Sequence, residues 1–371
     1  MDFDLSDEQR MLQDSATRFV RERCGFEQWQ RWRAAGKSAG TELWPVMAQM
    51  GWLGLPFAIE DGGFGGGPLD TMLLMEAFGR GLIAEPFLQT AVLAGEVLRR
   101  SPVGATRSAR IEALIEGHCR VALACDEPAS RYDQSLVQTR AEPVVGGWRL
   151  HGRKTVVING AEADALIASA CAPDGITLFW LDPKAAGLTI RPYPLVDGGR
   201  GADVTLNGVE VDESARIGEV GEGLALLVPA INVALAAIGA EALGIIDLLL
   251  AQTVAFTSAR RQFGQPVARF QALRHRMVDM FMHAEQTRSL VVLATIRVAE
   301  EHADAAKVLS ALKVQVGKAG RFVSQQAVQL HGGMGMTDEI VVGHAFKRLL
   351  SLDAQLGNVD HHLERFAALS S

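Results

Sequence analysis

The sequence predicts an α+β protein with an N-terminal helical domain, a small middle β domain of the barrel or sandwich type, and a C-terminal helical bundle. Residues 119–222 contain short runs of Val, Ile, Thr and Leu between Gly, Pro and Asp, as strands and turns do. Apolar residues at helical spacing lie on both sides of this stretch. Helices and strands that occupy separate stretches predict separate domains rather than a βαβ sheet. We therefore expect domains at 1–118, 119–222 and 223–371, the last a four-helix bundle.

Particular patterns support these assignments. Ser6 and Gln9 have the spacing of a capping box, and a helical apolar pattern follows them. In the middle domain, Gly146 and Gly147 separate two apolar runs and predict a hairpin turn. Residues 176–181 are an apolar run between turn residues and predict a strand.

Composition argues against several classes of protein. The net charge of -7, with Lys and Arg scattered, gives no indication of nucleic-acid binding. Four cysteines without a Cys-x-x-Cys pair are typical of a reduced cytoplasmic protein, and the acidic N-terminus lacks the features of a signal peptide. Residues 224–240 are almost wholly apolar, but Pro229 and Asn232 interrupt them. They predict a buried core helix rather than a membrane span.

The glycines at 62–67 do not form a nucleotide fingerprint. No strand precedes them, no βαβ unit surrounds them, and the Gly-Lys-Ser/Thr of a P-loop is missing. We expect a turn between helices at this position. Because the chain has no NAD fingerprint, a nicotinamide is not the expected electron acceptor.

Five segments, in order along the chain, carry a family resemblance. They are LWPVMAQMGWLGLPFAIEDGGFGG, LLMEAFGRGLIAEPFLQT, GWRLHGRKTVVINGAEAD, ARRQFGQPVARFQALRHRMVDM and QLHGGMGMTDE. Together they resemble the acyl-CoA dehydrogenase family over the whole chain. The resemblance implies an FAD enzyme that oxidises a CoA thioester and passes electrons to an electron-transferring flavoprotein. It also implies a tetramer, formed by self-association or with a homologous subunit, as in some members that act on bulky or dicarboxylic CoA esters.

The resemblance assigns two groups of residues to FAD. Arg260 looks like the residue that reaches the FAD phosphates, commonly across a subunit boundary, with Phe263 and Gln271 as its companions. A guanidinium suits a pyrophosphate because it offers a rigid fork of donors. From the residues alone, a solvated helix end for Arg260 and core packing for Phe263 remain open.

The second group lies in the Gly-Gly segment. Gln329, Gly332 and Gly333 resemble the loop that approaches the neighbouring subunit's FAD. Glycine allows a backbone to come close to a ligand and to adopt positive φ. A helix C-cap followed by a turn is the structural alternative, and both can hold. His331 is expected to be incidental, because no second ligand stands at metal spacing, and no metal is expected.

The middle domain departs from the family pattern. Val156, Val157 and Ile158 stand where the family usually has Trp-Ile-Thr/Ser beside the flavin. Upstream, Glu127 of the Thr-Glu-Pro-Gly motif is retained, but Asp126 replaces the threonine. Flavin contacts from these strands are therefore expected from the backbone rather than from side chains.

The usual catalytic base is absent. The family reaction needs a carboxylate that removes the α-proton while the β-hydrogen leaves as hydride. Leu356 falls on the usual glutamate position, and Ala234 falls on the alternative position in the long helix. Glu241 lies seven residues beyond Ala234, about two turns along roughly the same face.

Glu241 is our candidate base, because an acid in so apolar a helix calls for an explanation. A buried structural glutamate paired with an arginine is the alternative. Asp353 and Asp360, near the vacant position in a solvated helical context, are the other acidic candidates. At the level of the whole protein, a non-catalytic FAD-supporting subunit competes with the dehydrogenase, and an oxidase or monooxygenase is a third possibility.

Overall fold

The structure is a computed structural model that describes residues 4–34 and 42–370. It confirms the predicted fold class, because helical regions precede and follow a middle β-sheet region. The described residues form two compact units. Residues 4–34, 68–83 and 235–370 form the helical unit, and residues 42–67 and 84–234 form the sheet unit.

The helical unit contains α-helices and one short hairpin. Its elements are α1 (Asp7–Arg23), α2 (Phe26–Ala34), α4 (Pro68–Arg80), α7 (Gly223–Ala259) from residue 235 onward, β9 (Arg261–Gln262), β10 (Gln265–Pro266), α8 (Gln271–Ala299), α9 (Ala305–His331), α10 (Val341–Ala354) and α11 (Val359–Ala368). The predicted capping box starts α1. The Ser6 hydroxyl accepts a hydrogen bond from the Gln9 amide, and the Gln9 side chain accepts one from the Ser6 amide, both at 3.2 Å.

Two glycines bring α4 and α7 into backbone contact. A Cβ on Gly79 would overlap the carbonyl oxygen of Glu241, and a Cβ on Gly244 would overlap that of Glu76. No larger residue fits at either position without moving a helix. By length and composition α7 could cross a membrane, but 78% of its most apolar window is buried, as in a core helix.

The sheet unit contains short helices and eight strands. Its elements are α3 (Trp44–Gln49), a π-helical segment (Leu88–Ala94), α5 (Gly95–Arg100), α6 (Ala105–Ile115), β1 (Val121–Ala124), β2 (Arg140–Val144), β3 (Gly147–Ile158), β4 (Ala165–Ala172), β5 (Gly175–Leu181), β6 (Leu188–Pro194), β7 (Arg200–Asp212) and β8 (Arg216–Ile217). The strands form one sheet in the order β6-β7-β3-β2-β4-β5-β8, with β1 parallel to β4.

The sequence located two of these features correctly. Val144 pairs with Gly147, so a two-residue turn joins β2 to β3 at the predicted hairpin. The predicted strand at 176–181 lies within β5. The predicted boundaries after residues 118 and 222 fall between α6 and β1 and between β8 and α7. The division into three domains stays a prediction.

Candidate active site

A short hairpin after α7 carries the first group of predicted FAD residues. The Arg260 amide donates to the carbonyl of Phe256 at 2.9 Å, and the Arg260 carbonyl accepts from Val267 at 2.8 Å. Phe263 and Gly264 form the tip, with φ of 53° and 81°, as in a tight two-residue hairpin turn. Phe263 is 90% exposed, so core packing does not explain it. Arg260 and Gln271 are exposed as well.

The glycine segment follows α9. Gly332 caps the helix with a φ of 63°, so the structural alternative of a C-cap is present. A Cβ added to Gly332 or Gly333 would meet no described atom within 4 Å, so the loop has open space beside its backbone. Gln329 is exposed in the last turn of α9.

His331 joins these two groups of residues. Its Nδ1 lies 2.8 Å from the carbonyl of Ala327, and burial lowers its pKa. Its ring stacks on Phe256, with 4.4 Å between centroids. Phe256 lies one turn before Arg260, and His331 precedes Gly332. The stack therefore brings both groups to one end of the helical unit. Among the residues described, no cluster of His, Cys, Asp or Glu could hold a metal ion.

Glu241 is held in a buried ion pair. Its side chain is 4% exposed, and Oε1 lies 2.6 Å from Nε of Arg348 in α10. This is the geometry of the structural alternative, a buried glutamate paired with an arginine. The pair also holds the carboxylate in one position. Glu241 as the base therefore stays a prediction.

Leu356 and the two candidate aspartates lie around the turn between α10 and α11. Leu356 has a φ of 55°, in the left-handed region. The Asp353 side chain is 14% exposed, and burial raises its pKa. It packs against α9, where a Cβ on Gly317 would overlap it, so the solvated context expected for Asp353 is wrong. Asp360 is exposed, as expected.

A β-bulge with an unfavourable backbone conformation lies at Val156, where the resemblance places the family's Trp-Ile-Thr/Ser tripeptide. The register of β3 and β7 shifts between Lys154 and Val157, and Val156 between them has a φ of 51° and is 51% exposed. Positive φ is unfavourable for a β-branched residue, and bulges are frequent beside functional sites. The Val156 amide donates to the Tyr193 hydroxyl at 3.1 Å. Sequence reasoning missed Tyr193, because no local signal pairs it with the bulge.

The retained motif residue Glu127 is structural. Lys154 Nζ lies 2.6 Å from its Oε1. The Gln138 amide donates to its Oε2 at 2.7 Å, and the Thr139 amide donates to its Oε1 at 3.1 Å. Burial acts to raise the pKa of Glu127, but Lys154 and these amides outweigh it and hold the pKa below its usual value. Asp126 accepts from the side chain of Gln134 at 2.7 Å. These contacts fix the loop between β1 and β2.

An apolar face on α8 is a feature that the sequence reasoning did not identify. Val278, Phe281, Met282 and Leu293 are between 39% and 54% exposed. Apolar residues that recur at helical spacing normally face a core. Their exposure is typical of an interaction surface.

Comparison with known families supports the earlier resemblance. Residues 6–102 match the family model described as the N-terminal domain of acyl-CoA dehydrogenase, and residues 221–368 match its C-terminal domain. One relative, an L-prolyl peptidyl-carrier-protein dehydrogenase from Serratia sp., is 29% identical over 353 residues. The match covers 92% of this chain and 90% of that protein.

Solved structures share the fold over the whole chain. The FAD complex of PigA has a TM-score of 0.92 and 26% identity, covering 100% of this chain and 99% of that chain. The ChsE4-ChsE5 complex from Mycobacterium tuberculosis also has a TM-score of 0.92, with 25% identity and the same coverage.

Proposed function

This chain belongs to the acyl-CoA dehydrogenase family, and on that premise we propose that it is an FAD-dependent oxidoreductase of acyl thioesters. The reaction is α,β-dehydrogenation, with electrons passed to an electron-transferring flavoprotein. The observation that carries the proposal is the stack of Phe256 on His331, which brings the Arg260 hairpin and the Gly332 loop to one end of the helical unit.

The residues at this end fit a dinucleotide phosphate. The Arg260 guanidinium is exposed and belongs to none of the ion pairs among the described residues, so it can pair with a pyrophosphate. Gly332 and Gly333 leave the space beside their backbone open. PigA, whose fold this chain shares, has been solved as a complex with FAD. We therefore assign Arg260, Phe263, Gln271, Gln329, Gly332 and Gly333 to FAD binding.

Bound FAD would supply the hydride acceptor, and the chain must supply a proton acceptor. Leu356 cannot take a proton, and Glu241 is the buried acid that the long helix offers. Its carboxylate is held by Arg348, and its backbone lies at the contact of α4 with α7. Asp353 is the competing acid, and its pKa is raised by burial, as a base for a weakly acidic α-proton requires.

Flavin reduction by substrate tests the proposal directly. The purified, FAD-loaded chain should lose its flavin absorbance under anaerobic conditions when the correct acyl thioester is added. The panel should include CoA esters and aminoacyl thioesters on a carrier protein, since the Serratia relative is named for the latter. Glu241→Gln should retain FAD but reduce it about 10²-fold more slowly. Glu8→Gln, at an exposed position of α1, is the matched control. A wild-type rate in Glu241→Gln would make Glu241 structural.

Electron acceptor and FAD binding can be tested separately. Reduction of an electron-transferring flavoprotein, without reduction of NAD, is expected after substrate is added. Oxygen consumption without another acceptor would instead indicate an oxidase. Arg260→Ala should lose FAD on dialysis with little change in fold, because a charge-assisted contact contributes about 1.5–3 kcal/mol.

Assembly is part of the proposal. The exposed apolar face of α8 supports self-association into a tetramer, and Phe263 projects from the hairpin nearby in sequence. Cytoplasmic location is proposed from the four cysteines, all of which are free thiols.

A second candidate function is supported by one specific observation. Leu356 occupies the usual base position, and Glu241 already has an ion-pair partner. A chain of this kind could support FAD while a homologous partner supplies the base. The ChsE4-ChsE5 structure, which shares this fold, is a complex. Flavin reduction that appears only when a homologous partner is added would favour this function over the self-sufficient enzyme.

A further inference from the structure

A lysine buried in α9 holds the end of α10. Lys313 is fully buried, and its Nζ lies 2.7 Å from the carbonyl oxygen of Leu352, 3.2 Å from that of Asp353 and 2.9 Å from that of Gln355. Three acceptors around one nitrogen match the three N–H donors of an ammonium group. The last carbonyls of a helix lack partners within it and carry the negative end of its dipole. Lys313 therefore acts as the cap of α10.

A histidine holds the next carbonyl along the chain. His362 in α11 is buried, and burial together with the charge of Lys313 lowers its pKa to about 3, so the ring is neutral. Its Nε2 lies 3.0 Å from the carbonyl oxygen of Leu356 and therefore donates to it. Gly357 is required beside the ring, since a Cβ there would lie 2.6 Å from Nε2. We refer to Lys313 and His362 as the turn clamp.

The turn clamp holds Leu356 in an unfavourable conformation. Its φ of 55° is one that bulky L-residues rarely adopt, and such conformations persist where the surroundings enforce them. The clamp bonds the carbonyls on both sides of the Leu356 α-carbon, at Gln355 and at Leu356 itself. The direction of the Leu356 side chain is therefore set by Lys313 and His362.

We propose that Lys313 is a positioning residue that fixes Leu356 as a specificity-determining contact for the acyl group. This inference rests on the proposed function, because it takes the turn to lie at the acyl site. Leucine has no titratable group, so Leu356 contributes contact and shape but no proton transfer. Displacing it should therefore change substrate binding and leave the chemical step unchanged.

Steady-state kinetics and hydrogen exchange of the FAD-loaded protein test the proposal. Lys313→Met should raise KM for the acyl thioester about tenfold, with kcat within about twofold of wild type. Leu356→Ala should have the same effect, and the double variant should be no worse than either single variant. Amides at 355–358 should exchange faster in Lys313→Met. Lys318→Met, at an exposed position of the same helix, is the matched control.

Each outcome decides one of the two claims. If none of the thioesters reduces the flavin of the wild-type chain, the proposed function fails. Hydrogen exchange alone then decides whether Lys313 holds the turn. Unchanged exchange at 355–358, or faster exchange with wild-type KM, overturns the inference. If Lys313→Met does not fold, His362→Asn replaces it, because it removes a single hydrogen bond to the same turn.

Discussion

Lys154 in the sheet unit and Lys313 in the helical unit are both fully buried, but they are held by different groups. Lys154 lies against the carboxylate of Glu127, and Ser169 lies 3.0 Å from its Nζ. Lys313 makes its hydrogen bonds to backbone carbonyls. A lysine that pairs with a carboxylate joins two segments through an ion pair. A lysine whose hydrogen bonds go to backbone dipoles keeps its proton less firmly. Burial lowers the pKa of Lys313 to about 7, although the nearby Asp353 carboxylate acts in the opposite direction.

Breaking the charged pair should have the largest effect. Lys154→Met leaves the Glu127 carboxylate buried without its counter-charge, and the free energy of unfolding should fall by about 3–5 kcal/mol. Urea denaturation at pH 7, followed by circular dichroism, measures it. Lys184→Met at an exposed site is the matched control and should change stability by less than about 0.5 kcal/mol. A loss as small as that of the control would show that Glu127 does not depend on Lys154.

The sequence predicted features that depend on local spacing. The fold class, the capping box and the β2–β3 hairpin follow from patterns within a few residues. The first group of residues assigned to FAD, Arg260, Phe263 and Gln271, lies within one hairpin and the start of α8. Because the group is contiguous in sequence, the resemblance to a family motif was enough to locate it.

Contacts between distant segments were not predictable in this way. Arg348 lies 107 residues from Glu241 along the chain, and Lys313 lies about 40 residues from the carbonyls that it caps. The sequence did contain a signal for Lys313. It shares a helical face with Leu309, Leu312 and Val316, which are all buried. A lysine on such a face calls for a partner, but only the fold shows that the partners are carbonyls.

Glu85 extends the comparison to a buried acidic side chain that has neither an ion-pair partner nor a hydrogen bond to its carboxylate oxygens among the described residues. It precedes the π-helical segment of the sheet unit and is 7% exposed, and neither carboxylate oxygen has a hydrogen-bond partner among the described residues. Burial raises the pKa of Glu85 to about 7 from 4.5, although the nearby backbone amides of Ala84 and Glu85 act in the opposite direction. Between these values the folded chain holds a proton that the unfolded chain has lost, so stability falls as pH rises.

Glu85→Gln removes this titration. At pH 8 the free energy of unfolding of the variant should be higher than that of wild type by on the order of 3 kcal/mol. At pH 4.5 the two proteins should be equally stable. Urea denaturation at several pH values measures the difference. Glu112→Gln, at an exposed position of the same unit, should show no such dependence. A constant difference between Glu85→Gln and wild type across this range would mean that Glu85 has an ordinary pKa.

The titration of Lys313 should make the free energy of unfolding depend on pH in the opposite direction. Its folded pKa of about 7 lies below the ordinary value of 10.5. Above pH 7 the unfolded chain therefore holds a proton that the folded chain has released, and stability rises with pH. Relative to Lys313→Met, wild type should gain about 2 kcal/mol in unfolding free energy between pH 7 and pH 9. A difference that does not change with pH would show that the three carbonyls keep the Lys313 ammonium charged.

The smallest expected effect reports on the turn that Lys313 holds. If Leu356 is truly held at positive φ, Leu356→Gly and Leu356→Ala differ chiefly in backbone strain, because both remove the side chain. Left-handed backbone is unfavourable by about 1–2 kcal/mol for a residue with a Cβ, so the glycine variant should be the more stable by about 1 kcal/mol. At the neighbouring position, Gln355, the order of stability of the two variants should be reversed. Gln355 has a φ of -73°, and there alanine should be more stable than glycine. Thermal unfolding of the four variants measures both differences under one condition. If alanine is preferred at both positions, the turn relaxes in solution and Lys313 does not impose its conformation on Leu356.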